Sequence, residues 1–218
     1  MLAEDGKKMS KRLQNYPDPM SVVEKHGADA IRLYLVNSGL SHAEPLNFSE
    51  KGVREVVKQV LLPWHNSLRF LSQNWTRYLQ DNPGKSLDAP GELGMLDEWI
   101  TQRTGELIKY FQAEMGAYRL YSIAAELVAY LDQLTNWYIR LNRGRLRGSA
   151  GEEEARTALL VLHEALNSFS LLISCFTPFY AEEAYQHLEA LRPIGREESV
   201  HHVLLSSLKA KPADSQLL

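Results

Sequence analysis

Lys7-Lys8-Met9-Ser10-Lys11-Arg12 crowds four cationic side chains around a methionine and a serine, after Gly6 and ahead of Asn15-Tyr16-Pro17-Asp18-Pro19. Ammonium groups on long stems supply mobile positive charge, and the backbone N–H groups of Gly and Ser can approach phosphate oxygens closely. The chemistry such a stretch suits is a polyphosphate clamp. A bare cationic run equally suits a solvated tail or a generic nucleic-acid patch, so the order of residues and their context must decide.

A second cationic constellation lies downstream. Between Arg140 and Arg147 fall four of the twelve cations of residues 91–218. At about 100° per residue, Asn136, Arg140 and Arg143 share one stripe, with Leu134, Trp137, Tyr138 and Leu141 on the other side as core. Gly144 and Gly148 are expected to end that helix and let Arg145 and Arg147 swing free. Guanidinium and amide donors at such a place can grip phosphates and stack on exposed bases; cations at a helix C-terminus also simply suit its dipole. Asn66 and Arg69 are spaced i, i+3, which lets both reach one surface, while Trp64 and Phe70 read as core. His201-His202 lacks a carboxylate or cysteine at ligand spacing, so no metal site is expected. Glu182-Glu183 reads as a solvated helix face, and no nucleophile–base pair is evident.

The elements that must hold these residues are helical. Asp18 or Ser21 caps a short helix that stops at His26-Gly27. A second, Ala28–Val36, turns Ile31, Leu35 and Tyr34 inward and places Asp29 and Arg32 together outside. Residues 40–48 read as irregular, with at most a short strand around Leu46-Asn47-Phe48. Val53, Val56, Val57, Val60, Leu61, Trp64, Leu68, Leu71 and Trp75 then recur at helical spacing, with Pro63 expected to kink the run. A loop from Asp81 to Gly91 is the best candidate internal boundary. Three further long helices are expected over 96–115, 120–142 and 152–176, the last led by Glu152-Glu153-Glu154 as suits a helix N-terminus. A final segment follows Thr177-Pro178. The fold class is therefore mainly α, an antiparallel helical bundle preceded by a small segment of short elements. The divisions are a loop and linker over 1–17, short elements over 18–49, the bundle over 50–205 and a polar tail over 206–218.

Composition limits the options. The net charge of −3 excludes binding to nucleic acid by bulk charge and leaves only local patches. Residues 1–90 carry 12 Lys and Arg against 10 Asp and Glu; the remainder carry 12 against 17. The single cysteine, Cys175, lies in an apolar run and reads as a buried thiol in an intracellular, cytoplasmic chain. The N-terminus has no apolar leader. The longest apolar stretch, Phe169 to Phe179, is far short of the about 20 residues a bilayer requires, so no membrane partner is expected.

Taken with its context, Gly6-Lys7-Lys8-Met9-Ser10-Lys11-Arg12 resembles the KMSKS loop of class I aminoacyl-tRNA synthetases. Asn15-Tyr16-Pro17-Asp18-Pro19 and Gly27-Ala28-Asp29-Ala30-Ile31-Arg32-Leu33-Tyr34 are most similar to the cytoplasmic, eukaryotic-type isoleucyl members. The Leu61–Phe70 segment, Asn136-Trp137-Tyr138-Ile139-Arg140, and Thr177-Pro178-Phe179 with Glu182-Glu183 resemble that family's anticodon-binding bundle. The resemblance covers essentially residues 2–205.

It implies that Lys8, Met9, Ser10 and Lys11 form the core of the signature loop. Lys11 would stabilise the ATP triphosphate, with its Mg2+, during isoleucine adenylation, and Arg12 stands in place of the usual final serine. It further implies a stem-contact-like role for residues 18–49, and it turns Asn66, Arg69, Asn136, Arg140 and Arg143 toward the anticodon stem-loop of tRNA(Ile). The family's HIGH motif, nucleotide-binding sheet and editing domain lie upstream of such a loop. The chain is thus expected to be part of a longer enzyme, to bind no ATP by itself, to bind tRNA weakly and to have no aminoacylation activity. Its loop is expected to hang mobile and unpaired. A valyl or other close class I synthetase, and a non-catalytic helical interaction module, remain the alternative readings.

Overall fold

The computed structural model describes residues 1–193, 197–205 and 208, and its architecture follows from how apolar side chains recur along the chain. Two short helices, α1 (Pro19–His26) and α2 (Ala28–Val36), are followed by α3 (Glu50–Val56) and the long α4 (Leu62–Asp81). Next come α5 (Met95–Gly116), α6 (Leu120–Gln133), the short α7 (Arg143–Leu146), α8 (Glu152–Ile173) and α9 (Pro178–Leu191). The three-residue connection between α5 and α6 forces those two helices antiparallel. Among the described residues the only β pairing is two isolated bridges, both made by Leu2.

α8 is the axis of the bundle and packs on α4, α5, α6, α7 and α9. From Ala155 to Ile173 nearly every side chain is buried, as expected of a helix that is apolar all round rather than on one stripe. Phe169 sits at the centre, edge-on to Trp64 with ring centroids 5.1 Å apart and stacked with Tyr130 at 6.0 Å. Helices on both sides of the 82–94 connection share this core. The connection itself is fastened to α8, since the Gly91 N–H donates to Thr157 Oγ1 at 2.9 Å. Cys175 is half-buried, and burial pushes its thiol up to about 12.

Pro63 does not end the run in which it lies. Val57–Leu61 opens into a π turn with helical backbone on either side, so the helical path runs without a break from α3 into α4. The wider turn is the helix's response to a residue that has no N–H and crowds the preceding turn. A second π turn, Leu134–Ile139, follows α6, and it corrects the expected burial pattern. An i→i+5 turn spaces the buried residues four apart, as Leu134, Tyr138 and Asn142, instead of the three-and-four alternation that would place Leu141 inside. Trp137 and Leu141 are consequently 58 % and 61 % exposed. Tyr138 fills the space between α5 and α8, with its hydroxyl donating to Asp97 Oδ1 at 2.6 Å and lying 3.3 Å from the Ala158 carbonyl.

The opening segment is anchored, contrary to the expectation of a hanging loop. The Leu2 N–H donates to the Leu46 carbonyl at 2.7 Å and the Phe48 N–H to Leu2 at 2.9 Å. The strand expected around Leu46-Asn47-Phe48 is thus a single parallel bridge to Leu2, not a sheet. A small second core of Val22, Ala30 and Val53, with Tyr34 and Phe48 edge-on at 5.7 Å, supports it. Gly52 is required there, because a Cβ would lie 2.5 Å from the Tyr34 ring. Asp18 caps α1 by accepting from the Ser21 N–H, and Gly27 ends it with a positive φ of 83°.

The largest departure from expectation concerns Asp29 and Arg32. They do not form a solvent-facing pair; they clasp the junction of α8 and α9. Asp29, 6 % exposed, accepts the Tyr180 N–H at 2.7 Å. Arg32 donates through Nε to the Phe176 carbonyl at 3.1 Å and through Nη2 to Cys175 at 3.2 Å. α9 has no side-chain cap of its own, so one residue of α2 caps its free N–H groups while another takes the last carbonyls after α8. Glu182 is likewise not a solvated acid: it accepts from Ser199 Oγ at 2.8 Å and from the Val200 N–H at 3.0 Å. Burial would raise its carboxyl, but the donors from Gln186, Ser199 and Val200 outweigh that and hold it below the usual range. The expected polar tail lies outside the described residues except at Leu208.

Candidate nucleic-acid interface

The cationic residues fall into three places. In the N-terminal loop, Asn15 bridges the turn: its Oδ1 accepts the Ser10 N–H at 2.9 Å and its Nδ2 donates to the Lys8 carbonyl at 3.1 Å. A bridge between Leu2 and Lys8 closes the other side. The backbone is therefore fixed while the charges point outward. Lys7 pairs with Asp5 at 3.4 Å. Lys8, Lys11 and Arg12 make no ion pair among the described residues; Lys8 and Met9 to Ser10 are at or near the surface, with Met9 and Ser10 half-buried and Lys11 and Arg12 exposed.

The second place is the segment after the π turn. Asn136, Arg140 and Arg143 all lie at the surface, as the stripe predicted. Asn136 Nδ2 is occupied with Asp132 Oδ1 at 2.7 Å, which leaves its carbonyl oxygen to accept. Arg140 has no charge partner among the described residues. The Arg143 guanidinium lies over the Phe70 ring, 5.8 Å from its centroid, a cation–π contact that steadies an otherwise free charge. Phe70 is thus half-buried, packed against the core on one side and offering the other to Arg143.

Asn66 and Arg69, on α4, mark the third place, and they part company. Phe70 is four residues from Asn66 and one from Arg69, so Arg143 crosses the Asn66 side of α4. Arg69 instead borders a cleft between α4 and α9 with His65, Tyr180, Glu183 and His187. The five donors thus do not form one flat patch. Arg143 reaches α4 on its Asn66 side, through Phe70, whereas Arg69 faces the α9 side.

What fastens this surface is a set of contacts that sequence spacing did not reveal. Arg145, expected to be free, is an internal clamp. Its Nη2 is 2.6 Å from Asp97 Oδ2 and its Nε 2.5 Å from Glu154 Oε2. Asp97 is wholly buried and also accepts the Gly94 N–H at 3.0 Å, so one carboxylate joins the start of α5, the π turn and α7. Burial and the adjoining Asp97 charge push the Tyr138 hydroxyl well above its ordinary value, so it stays a neutral donor. The available signal was Asp97 three residues after Gly94 at a helix start, a capping-box position. Arg147 is exposed as expected, after which Gly148 turns the chain with a φ of 84°. His201 Nε2 lies 3.1 Å from the Pro178 carbonyl, and no group of three His, Cys, Asp or Glu suited to a metal occurs among the described residues. No helix among them is long and apolar enough to cross a membrane.

Known proteins share both the sequence and the architecture. The chain is 46 % identical to a probable cytoplasmic isoleucine–tRNA ligase of Dictyostelium discoideum over 94 % of its length, and 42 % identical to the cytoplasmic isoleucine–tRNA ligase of Mus musculus over 99 %. It spans 20 % and 18 % of those relatives, about a fifth of their length. Among solved structures, methionyl-tRNA synthetase of Mycobacterium tuberculosis superposes over 93 % of this chain and 43 % of its own, with a TM-score of 0.68 at 20 % identity. A leucyl-tRNA synthetase from Agrobacterium radiobacter K84, solved in a ternary complex with tRNA, covers all of this chain with 24 % of its own at a TM-score of 0.60 and 20 % identity. Both likenesses speak for the fold. The model of class I tRNA synthetases for isoleucine, leucine, methionine and valine matches residues 1–47, where the anchored cationic loop lies. The model of the anticodon-binding domain of tRNA ligases matches residues 97–217, more than half the chain and including the arginine segment with its Asp97 clamp. The chain belongs to the anticodon-binding domain family of tRNA ligases.

Proposed function

We propose that this chain is the tRNA-binding portion of a cytoplasmic isoleucine–tRNA ligase and that it engages the anticodon stem-loop of tRNA(Ile). The observation that carries the reading is the run of surface donors at Asn136, Arg140 and Arg143, beside Asn66, on a segment clamped from within by Asp97. A fixed backbone with unneutralised guanidinium groups suits a folded RNA whose loop bases are unstacked. Arg69 serves the same RNA from the neighbouring cleft.

In the longer enzyme, Lys8, Met9, Ser10, Lys11 and Arg12 act as the ATP-phosphate loop. The ammonium groups of Lys8 and Lys11 and the guanidinium of Arg12, none of them ion-paired among the described residues, fit a triphosphate, while Asn15 holds the backbone that carries them. ATP, accompanied by magnesium, supplies the activated phosphoryl chemistry for isoleucine adenylation. Lys11 places positive charge where the departing pyrophosphate becomes more negative, which lowers the barrier electrostatically.

Titration of a tRNA(Ile) anticodon stem-loop into the chain at low salt tests the RNA-binding reading. Binding is expected to weaken steeply as salt rises. Changing Arg140 and Arg143 together to alanine is expected to lower the affinity and to reduce the salt slope by about two, one for each phosphate that is no longer neutralised. Unchanged affinity in the double variant would remove this surface from the interface.

A further inference from the structure

The π turn that follows α6 exposes an aromatic side chain that the core has no use for. π turns are rare and recur at functional sites. Trp137 lies within this one, between Asn136 and Arg140, and borders an open groove of about 490 Å³ floored by Met95, Leu96 and Trp99 at the start of α5. That volume lies within the roughly 300–1,000 Å³ typical of small-ligand clefts. Met95 is 76 % exposed, and Trp99 is half-buried. The polar wall of the groove is already committed. Arg103 donates to Gln133 Oε1 at 2.8 Å and pairs with Glu126, while Glu106 takes the Gln102 amide at 3.1 Å. What the groove offers a ligand is therefore a flat aromatic face and a thioether, and the exposed Arg140 follows three residues after Trp137, the spacing of neighbouring side chains on one helical surface.

We propose that this groove is a stacking pocket for one unstacked base of an RNA loop, with Trp137 as its platform and Arg140 holding the adjoining phosphate. The proposal rests on the anticodon-binding reading and adds to it a residue with neither charge nor hydrogen-bonding role in that reading. An unstacked base is the occupant that fits both features at once: a planar apolar body for Trp137 and an anionic backbone for Arg140. An uncharged protein segment would use the apolar floor but leave the Arg140 guanidinium unanswered.

The test uses the whole chain and a tRNA(Ile) anticodon stem-loop at low salt. Trp137 is exposed, so its variants are expected to fold, with circular dichroism and melting temperature as the check. Trp137→Ala and Trp137→Leu are expected to weaken binding about 5- to 150-fold, the effect of removing one base stack; Trp137→Phe, which keeps a ring, is expected to retain most of the affinity. Saturating RNA is expected to quench tryptophan emission in the parent chain by more than in Trp137→Phe, where Trp99 in the groove floor is the remaining reporter. Unchanged affinity in Trp137→Leu would overturn the pocket while leaving the anticodon-binding reading intact. So would a concentration-dependent self-association that Trp137→Ala abolishes without altering RNA affinity, since the groove would then be a protein contact. Failure of the parent chain to bind the stem-loop would overturn both.

Discussion

Asp97→Ala is expected to destabilise the chain by about 3–5 kcal/mol, the usual cost of removing one partner of a buried ion pair. In a domain of this size that corresponds to a fall of roughly 6–20 °C in melting temperature. The carboxylate is wholly buried and holds the Tyr138 hydroxyl, the Arg145 guanidinium and the Gly94 N–H together. With it gone, Arg145 keeps Glu154 alone, and Tyr138 loses its closest acceptor. The effect is not a packing defect, since Asp97→Asn keeps the shape and removes only the charge. That variant is expected to fall between the parent and Asp97→Ala. A double-mutant cycle with Arg145→Ala separates the pair from the rest of the site, and a coupling of about 0.5–3 kcal/mol is expected for groups that touch directly. A melting temperature within about 2 °C of the parent for Asp97→Ala, well short of the shift that breaking a buried ion pair brings, would show that this carboxylate does not hold the segment.

The second large effect is expected at the clasp between α2 and the α8–α9 junction. Asp29→Ala removes the side chain that caps α9, a change worth about 0.5–2 kcal/mol, and Arg32→Ala frees the carbonyls of Cys175 and Phe176. The combined effect is expected to appear locally before it appears globally. Amide hydrogen exchange should speed up most in the first turn of α9 and in residues 19–56, and least in α5, which is held mainly by α6 and α8. Such regional opening is how a sub-globally weakened unit reports itself. Uniformly faster exchange across the bundle would contradict the assignment of Asp29 and Arg32 as a joint between two parts of the molecule. The joint also links the cationic loop, which rests on Leu46 and Phe48, to the helices that carry the arginines.

The long helices were legible because burial repeats at helical spacing: α5 and α8 begin within a residue of where the apolar pattern places them. Short-range capping was legible too, at Asp18 and Gly27. What the pattern could not carry was any contact between residues far apart in sequence. Asp29 and Arg32 read as a surface pair because i, i+3 spacing on one helix is all that a local view offers, whereas their partners lie more than 140 residues away. Arg145 read as free for the same reason. The misplacement of Trp137 and Leu141 has a different cause. A fixed 100° step assumes an unbroken α-helix, and one π turn shifts the buried stripe by a residue. The candidate site was legible as a set of donors, but the separation of Arg69 from the others, and the aromatic groove beside them, depend on tertiary placement.

The most direct test of the central claim is a hydrogen-exchange footprint of the chain with and without a tRNA(Ile) anticodon stem-loop at low salt. Protection is expected in residues 134–147 and along the first half of α4, with the loop at residues 7–12 unchanged. Protection confined to the 7–12 loop, or none anywhere under conditions where the stem-loop is folded, would contradict an RNA-binding face built on the π turn and its arginines.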